Sequence, residues 1–156
     1  MRPPLQLSFF LVYVIKGRQD SGKTTAVKEI AQSVSSELNV SLINRNNRMR
    51  TEICVYLEYK GKKIGFSSHG DFPEDSINSR LNWLVNEIHC DIVVCAARDT
   101  PVVWAAYSVF LKNHDSKIFE FEHKKTVAEI QFVSEKRQKN INNIVNEIIF
   151  LCRGVN

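Results

Sequence analysis

The chain has 156 residues, of which 44% are hydrophobic and 24% charged. That composition suits one globular domain able to bury roughly 70% of its unfolded surface, so no disulfide or metal is needed to hold a core. The formal net charge of +4 is mild; it suits a phosphate ligand and gives a nucleic-acid partner only weak support.

Leu5 to Ile15 is an apolar run preceded by Arg2. It is too short to span a bilayer and lacks a small-residue cleavage site, so a buried first strand is expected rather than a signal peptide. No other stretch approaches transmembrane length. Cys54, Cys90, Cys95 and Cys152 have no C-x-x-C or Cys/His metal spacing and read as reduced thiols. A soluble cytoplasmic protein with no membrane partner is expected.

Gly17-Arg18-Gln19-Asp20-Ser21-Gly22-Lys23-Thr24 follows, which is G-x-x-x-x-G-K-[ST] between an apolar run and a helical pattern. A triphosphate must be held by donors aimed at one point with no side chain in the way. The two glycines permit the tight turn, and the loop N–H groups form an anion nest at a helix N-terminus. Lys23 reaches the β/γ-phosphates, and the Thr24 hydroxyl ligates Mg²⁺. The stretch resembles the P-loop NTPase superfamily. The resemblance implies that fold, Mg²⁺, ATP or GTP as ligand, a catalytic Lys23, and contacts from Gly17, Arg18, Gln19, Asp20, Ser21, Gly22, Lys23, Thr24 and Thr25.

Val27, Ile30, Ala31, Val34 and Leu38 then mark an amphipathic helix. Val40 to Ile43 is a candidate short strand, and Asn44 to Arg50 is a polar loop with three arginines. Ile53, Val55, Leu57 and Tyr59 alternate with polar or smaller neighbours as in a half-buried strand. Lys60-Gly61-Lys62 turns it into Lys63 to Ser68, completing an antiparallel hairpin. Pro73 opens a helix with a stripe at Ile77, Leu81, Leu84, Val85 and Ile88. Ile92 to Ala97 reads as a central strand, and Thr100-Pro101 as hydroxyl cap and first residue of a helix to Asn113. Lys117 to Glu122 is the last strand. Thr126 and Glu129 form a capping box for a C-terminal helical segment, whose polar stretch Ser134 to Asn140 allows a kink or two helices.

Alternating strands and helices predict an α/β three-layer sandwich, with a mainly parallel central sheet and one antiparallel edge strand from the hairpin. Ligands then sit beyond the carboxyl ends of the strands, which puts Gly17 to Thr24, Ser67 to Asp71, Arg98-Asp99 and Glu122 to Lys124 on one rim. Mg²⁺-assisted chemistry needs a carboxylate at the end of a strand neighbouring the P-loop strand. Asp71 and Asp99 both fit, and Asp71 is favoured because Gly70 permits a sharp exit.

The order of helix, hairpin and helix is also similar to that of small Ras-type GTPases. Thr51 precedes the hairpin as their Mg²⁺-reaching threonine does. Ser67-Ser68-His69-Gly70 has the D-x-x-G spacing with serine for aspartate, and the guanine-reading N-K-x-D is absent.

Arg98 is the arginine best placed for catalysis, facing ligand or pairing with a carboxylate. Arg45, Arg48 and Arg50 line an acceptor site, contact nucleic acid or stay solvated. Arg18, Lys136 and Arg137 serve as lid charges or as plain surface. His69 orients water or is structural, and Trp83 and Trp104 fit core packing. The function expected first is Mg-dependent hydrolysis of a nucleoside triphosphate, ATP before GTP. The alternatives are a kinase with a small-molecule, nucleotide or polynucleotide acceptor, and a non-enzymatic sensor that presents a surface to a protein partner.

Overall fold

Residues 10–18, 21–44, 52–122 and 127–154 are described by the computed structural model. Leu5 to Phe9, Gln19, Asp20, Arg45, Arg48, Arg50, Thr51, His123, Lys124 and Thr126 lie outside the described residues. The elements in chain order begin with β1 (Leu11–Gly17), α1 (Lys23–Leu38), β2 (Ile43–Asn44), β3 (Cys54–Tyr59) and β4 (Lys62–Ser67). A helix α2 starts at Pro73–Asp75 and continues in wider π-helical turns over Ser76–Leu81 and Trp83–Glu87. Then come β5 (Ile92–Arg98), α3 (Pro101–Leu111), β6 (Asp115–Phe121) and α4 (Val127–Arg153).

The six strands form one mixed sheet in the order β2-β3-β4-β5-β1-β6. β1 runs parallel to β5 and β6, and β4 parallel to β5, whereas β3 is antiparallel to both β2 and β4. The hairpin therefore supplies the antiparallel strand, but that strand is not the edge. Ile43 and Asn44 pair outside it with Tyr56 and Val55. A second expectation also changes: of the strands that lead to Asp71 and Asp99, only β5 neighbours β1. β5 inserts between β4 and β1 because its two edges satisfy both, with Cys95 opposite Ser67 on one side and Val14 on the other.

Side chains alternate across the sheet and build two cores. On one face Tyr13, Ile15, Val55, Leu57, Ile64 and Phe66 pack with Val27, Ile30 and Val34 of α1 and Ile141, Ile144 and Ile148 of α4. On the other, Val12, Val14, Val93 and Cys95 pack with Leu81 and Leu84 of α2 and Tyr107 of α3. Helices thus cover both faces, an arrangement compatible with a three-layer α/β fold. β3 is accordingly covered on both sides, Val55 by the first core and Cys54 by the second.

α1 buries the five residues that its periodicity singles out and ends where Asn39 turns left-handed at φ 56. α4 is unbroken through Ser134 to Asn140. Its second half packs on α1 while the polar stretch is largely exposed apart from Arg137 and Asn140, so no kink is required. Pro101 opens α3 as expected, but Thr100 makes no side-chain capping bond; its carbonyl accepts from the Trp104 N–H at 2.8 Å. Trp83 and Trp104 are partly buried against the second core, with Lys16 Nζ 4.1 Å from the Trp104 ring centroid. Among the described residues no helix is long and apolar enough to cross a membrane.

All four cysteines are buried and unbridged. Loss of hydration pushes the Cys90 and Cys95 thiols up to about 12, leaving about one in ten thousand ionised at pH 8. Iodoacetamide at pH 8 should therefore leave Cys90 and Cys95 unmodified in the native protein and label both after unfolding in urea. Rapid labelling of the native chain at either site, read by mass spectrometry, would contradict their place in the core.

Candidate functional site

β1 ends at Gly17, between Arg98 of β5 and Phe121 of β6, so the turn after it emerges at the carboxyl rim of the parallel strands. The Gly17 carbonyl accepts from the Asp99 N–H at 3.0 Å, which ties the start of the turn to the exit of β5. The turn closes at Gly22, whose φ of 90 lies in the left-handed region that favours glycine. α1 starts at the next residue, and its first N–H groups open on the rim. Ser21 is fully buried and does not line the cavity described next.

Lys23 is nearly buried, and its Nζ donates to the Arg18 carbonyl at 2.6 Å, folding the side chain back over the turn. Beside it lies a polar cavity of about 270 Å³, lined by Gly22, Lys23, Thr24, Thr25, Glu52, Ser68, Gly70 and Asp71. The structure thus gathers Gly22, Lys23, Thr24, Thr25 and Asp71, five of the residues that the sequence nominates. Asp71 is held by Arg98, whose Nε lies 3.1 Å from Oδ1 as an ion pair.

Glu52 escaped the sequence reading. It precedes β3 and fits the polar half of that strand's alternation, which gives no reason to single it out. In the fold it meets α1: Thr24 Oγ1 donates to Glu52 Oε1 at 3.2 Å. Ser68 Oγ donates to Glu52 Oε2 at 2.6 Å and accepts from the Ile53 N–H at 2.7 Å. Among the described residues this is therefore the carboxylate that bonds the Thr24 hydroxyl, carried to the site by β3–β4 pairing. Ser68, two residues before Gly70 and just past the end of β4, holds it from the second strand's side.

The other described candidates lie elsewhere. Gly17, Arg18 and Asp99 line a second cavity of about 690 Å³ on the other flank of the turn, with Lys16, Phe121, Phe132 and Lys136. His69 points away toward α2, its Nδ1 3.5 Å from Asp75 Oδ2. Lys136 pairs with the Glu122 carboxylate at 3.0 Å, whereas the Arg137 guanidinium lies beside Gly22. A third cavity, about 560 Å³ and mostly apolar, sits at the opposite end of β1 and β6 beside Leu11, Asp115 and Phe150. It is remote from every candidate residue.

The cavity by Thr24 is chemically suited to a hard cation and phosphate oxygens. Mg²⁺ is held through one or two carboxylates plus phosphates and water rather than by a full protein cage. Glu52 and Asp71 provide two carboxylates, and Thr24 and Ser68 two hydroxyls. Among the described residues no group of three or more His, Cys, Asp or Glu side chains forms a metal cluster. No family model, curated protein or solved structure matches the chain.

Proposed function

We propose that Gly17 to Thr24 is a P-loop and that the chain, a P-loop NTPase, binds a nucleoside triphosphate with Mg²⁺ and hydrolyses it. One observation carries this reading: Lys23, Thr24, Glu52 and Asp71 converge on one polar cavity where α1 begins after a left-handed glycine. A cation, a hydroxyl and two carboxylates at a helix N-terminus are the groups that γ-phosphoryl transfer uses for positioning and charge neutralisation.

In this reading the amides from Gly22 onward receive the phosphates, and Lys23 exchanges the Arg18 carbonyl for a phosphate oxygen. Thr24, Glu52 and Asp71 would hold Mg²⁺, which would neutralise charge on the terminal phosphates. Asp71 is oriented by Arg98 at the mouth of the cavity, where it can align an attacking water. Ser68 keeps Glu52 from swinging to solvent. ATP is the expected base form, since the strand after α3 ends in Phe119-Glu120-Phe121-Glu122 without a guanine-reading N-K-x-D.

The direct test is phosphate release from ATP and GTP with Mg²⁺ and no acceptor, repeated in excess EDTA. Multiple turnovers that EDTA abolishes are expected. Absence of both release and binding would end the reading, and binding without release would leave a sensor or an enzyme lacking its acceptor.

The carboxylates separate in the same assay. Glu52→Gln and Asp71→Asn should each reduce turnover by about 10²-fold or more, the scale of losing one transition-state contact. Asp99→Asn, on the other flank, should stay near wild type. Equal losses at all three positions would mean that the cavity by Thr24 is not the reacting site.

A further inference from the structure

α4 brings a cation to the turn that the proposed reaction has not used. The Arg137 guanidinium donates from Nη2 to the Glu122 carbonyl, and its Cζ lies 5.5 Å from the Phe121 ring centroid. Nη1 lies 3.2 Å from the point where a Cβ on Gly22 would sit. Nε is buried and has no hydrogen-bond partner among the described residues. Among the described residues the charge thus meets a carbonyl, a ring face and a glycine rather than a carboxylate, and Lys136 engages the Glu122 carboxylate instead.

A guanidinium drawn partly out of water without an anionic partner is costly, and an anion that completes it recovers that cost. Burial already pulls the Arg137 pKa below its ordinary value, which is the expected mark of that cost. The neighbouring turn offers a place for such an anion: Gly22 lines a cavity together with Lys23, Thr24 and Thr25, the opening residues of α1.

We propose that Arg137 is a phosphate-binding residue supplied by α4, its remaining donors closing over Gly22 and Lys23 when a triphosphate occupies the turn. This role rests on the triphosphate reading of the turn. It also gives α4 a stake in occupancy. The helix packs on α1 through the first core, and Gln138 Nε2 donates to Glu29 Oε2 of α1 at 2.8 Å. Nucleotide would then clamp the first half of α4 to the start of α1.

The test combines calorimetric titration of ATP and GTP with Mg²⁺ and hydrogen exchange with and without ATP, on wild type, Arg137→Gln and Arg137→Ala. Glutamine keeps part of the stem and a donor for the Glu122 carbonyl, so it removes the charge with the least loss of packing and decides the matter should the alanine variant not fold. Both variants are expected to bind ATP roughly tenfold or more weakly, the scale of one charged hydrogen bond. The wild type should gain protection over residues 130–140 on adding ATP, and the variants should lose that gain. A purely structural arginine would lower protection equally with and without ATP. Wild-type affinity in a folded Arg137→Gln, with the protection gain intact, would overturn the role of Arg137 alone. Failure of the wild type to bind either ATP or GTP would overturn the triphosphate reading and this role with it.

Discussion

Lys23→Ala is expected to weaken triphosphate binding by roughly 10- to 150-fold, the effect of losing a charged hydrogen bond of about 1.5–3 kcal/mol. Phosphate release should fall further, since the same ammonium meets charge that grows on the transferring phosphoryl group. The fold should survive. Lys23 Nζ donates to the Arg18 carbonyl at the rim, and losing that bond costs about 1 kcal/mol. Titration of ATP and GTP into wild type and variant, with circular dichroism to verify folding, measures both halves. Unchanged affinity in a folded variant would remove the P-loop assignment, and with it the roles given to Thr24, Glu52, Asp71 and Arg137.

Gly70→Ala should be the most damaging small substitution in the chain. A Cβ on Gly70 would stand 2.2 Å from the Ala96 carbonyl oxygen and 2.5 Å from its carbon. Both atoms belong to the backbone of β5, which is held on two sides by β4 and β1 and cannot give way. The Gly70 carbonyl also accepts the Arg98 N–H at 3.1 Å, so the segment cannot lift off without losing that bond. We expect a loss of about 3 kcal/mol or more, the upper end of overpacking costs. It should appear as a lower urea midpoint with an unchanged slope. Because the next residue is Asp71, phosphate release should fall even where the variant remains folded. A midpoint within experimental error of wild type would show that this contact relaxes freely.

Gly70 also shows what a single sequence can and cannot say. The glycine is valued there as a pivot toward the nucleotide; in the fold its main constraint is the absence of a side chain against β5. Glu52 is the converse case. Alternation along β3 files it with Glu58 as an outward polar residue, and only strand pairing lays its carboxylate against Thr24 and Ser68. The order of the strands was equally illegible. β1 and β5 are continuous apolar runs, and apolar side chains carry no record of which edge pairs with which.

The sequence by itself determined most of the elements, though the short strand expected at Val40 to Ile43 lies at Ile43–Asn44 and α2 runs largely in π-helical turns. Period-3.6 and period-2 patterns set α1 and the hairpin, glycines at both ends of Gly17 to Gly22 set the turn, and the Gly-Lys-Thr run nominated a phosphate site. These are local signals, because steric and solvation preferences act on neighbouring residues. Only the tertiary structure decided that β5 separates the hairpin from β1, that Glu52 rather than Asp99 joins Asp71 beside Thr24, and that α4 carries Arg137 to Gly22. Each is a meeting of residues tens of positions apart, fixed by the packing of two cores on one twisted sheet. No spacing along the chain records such a meeting.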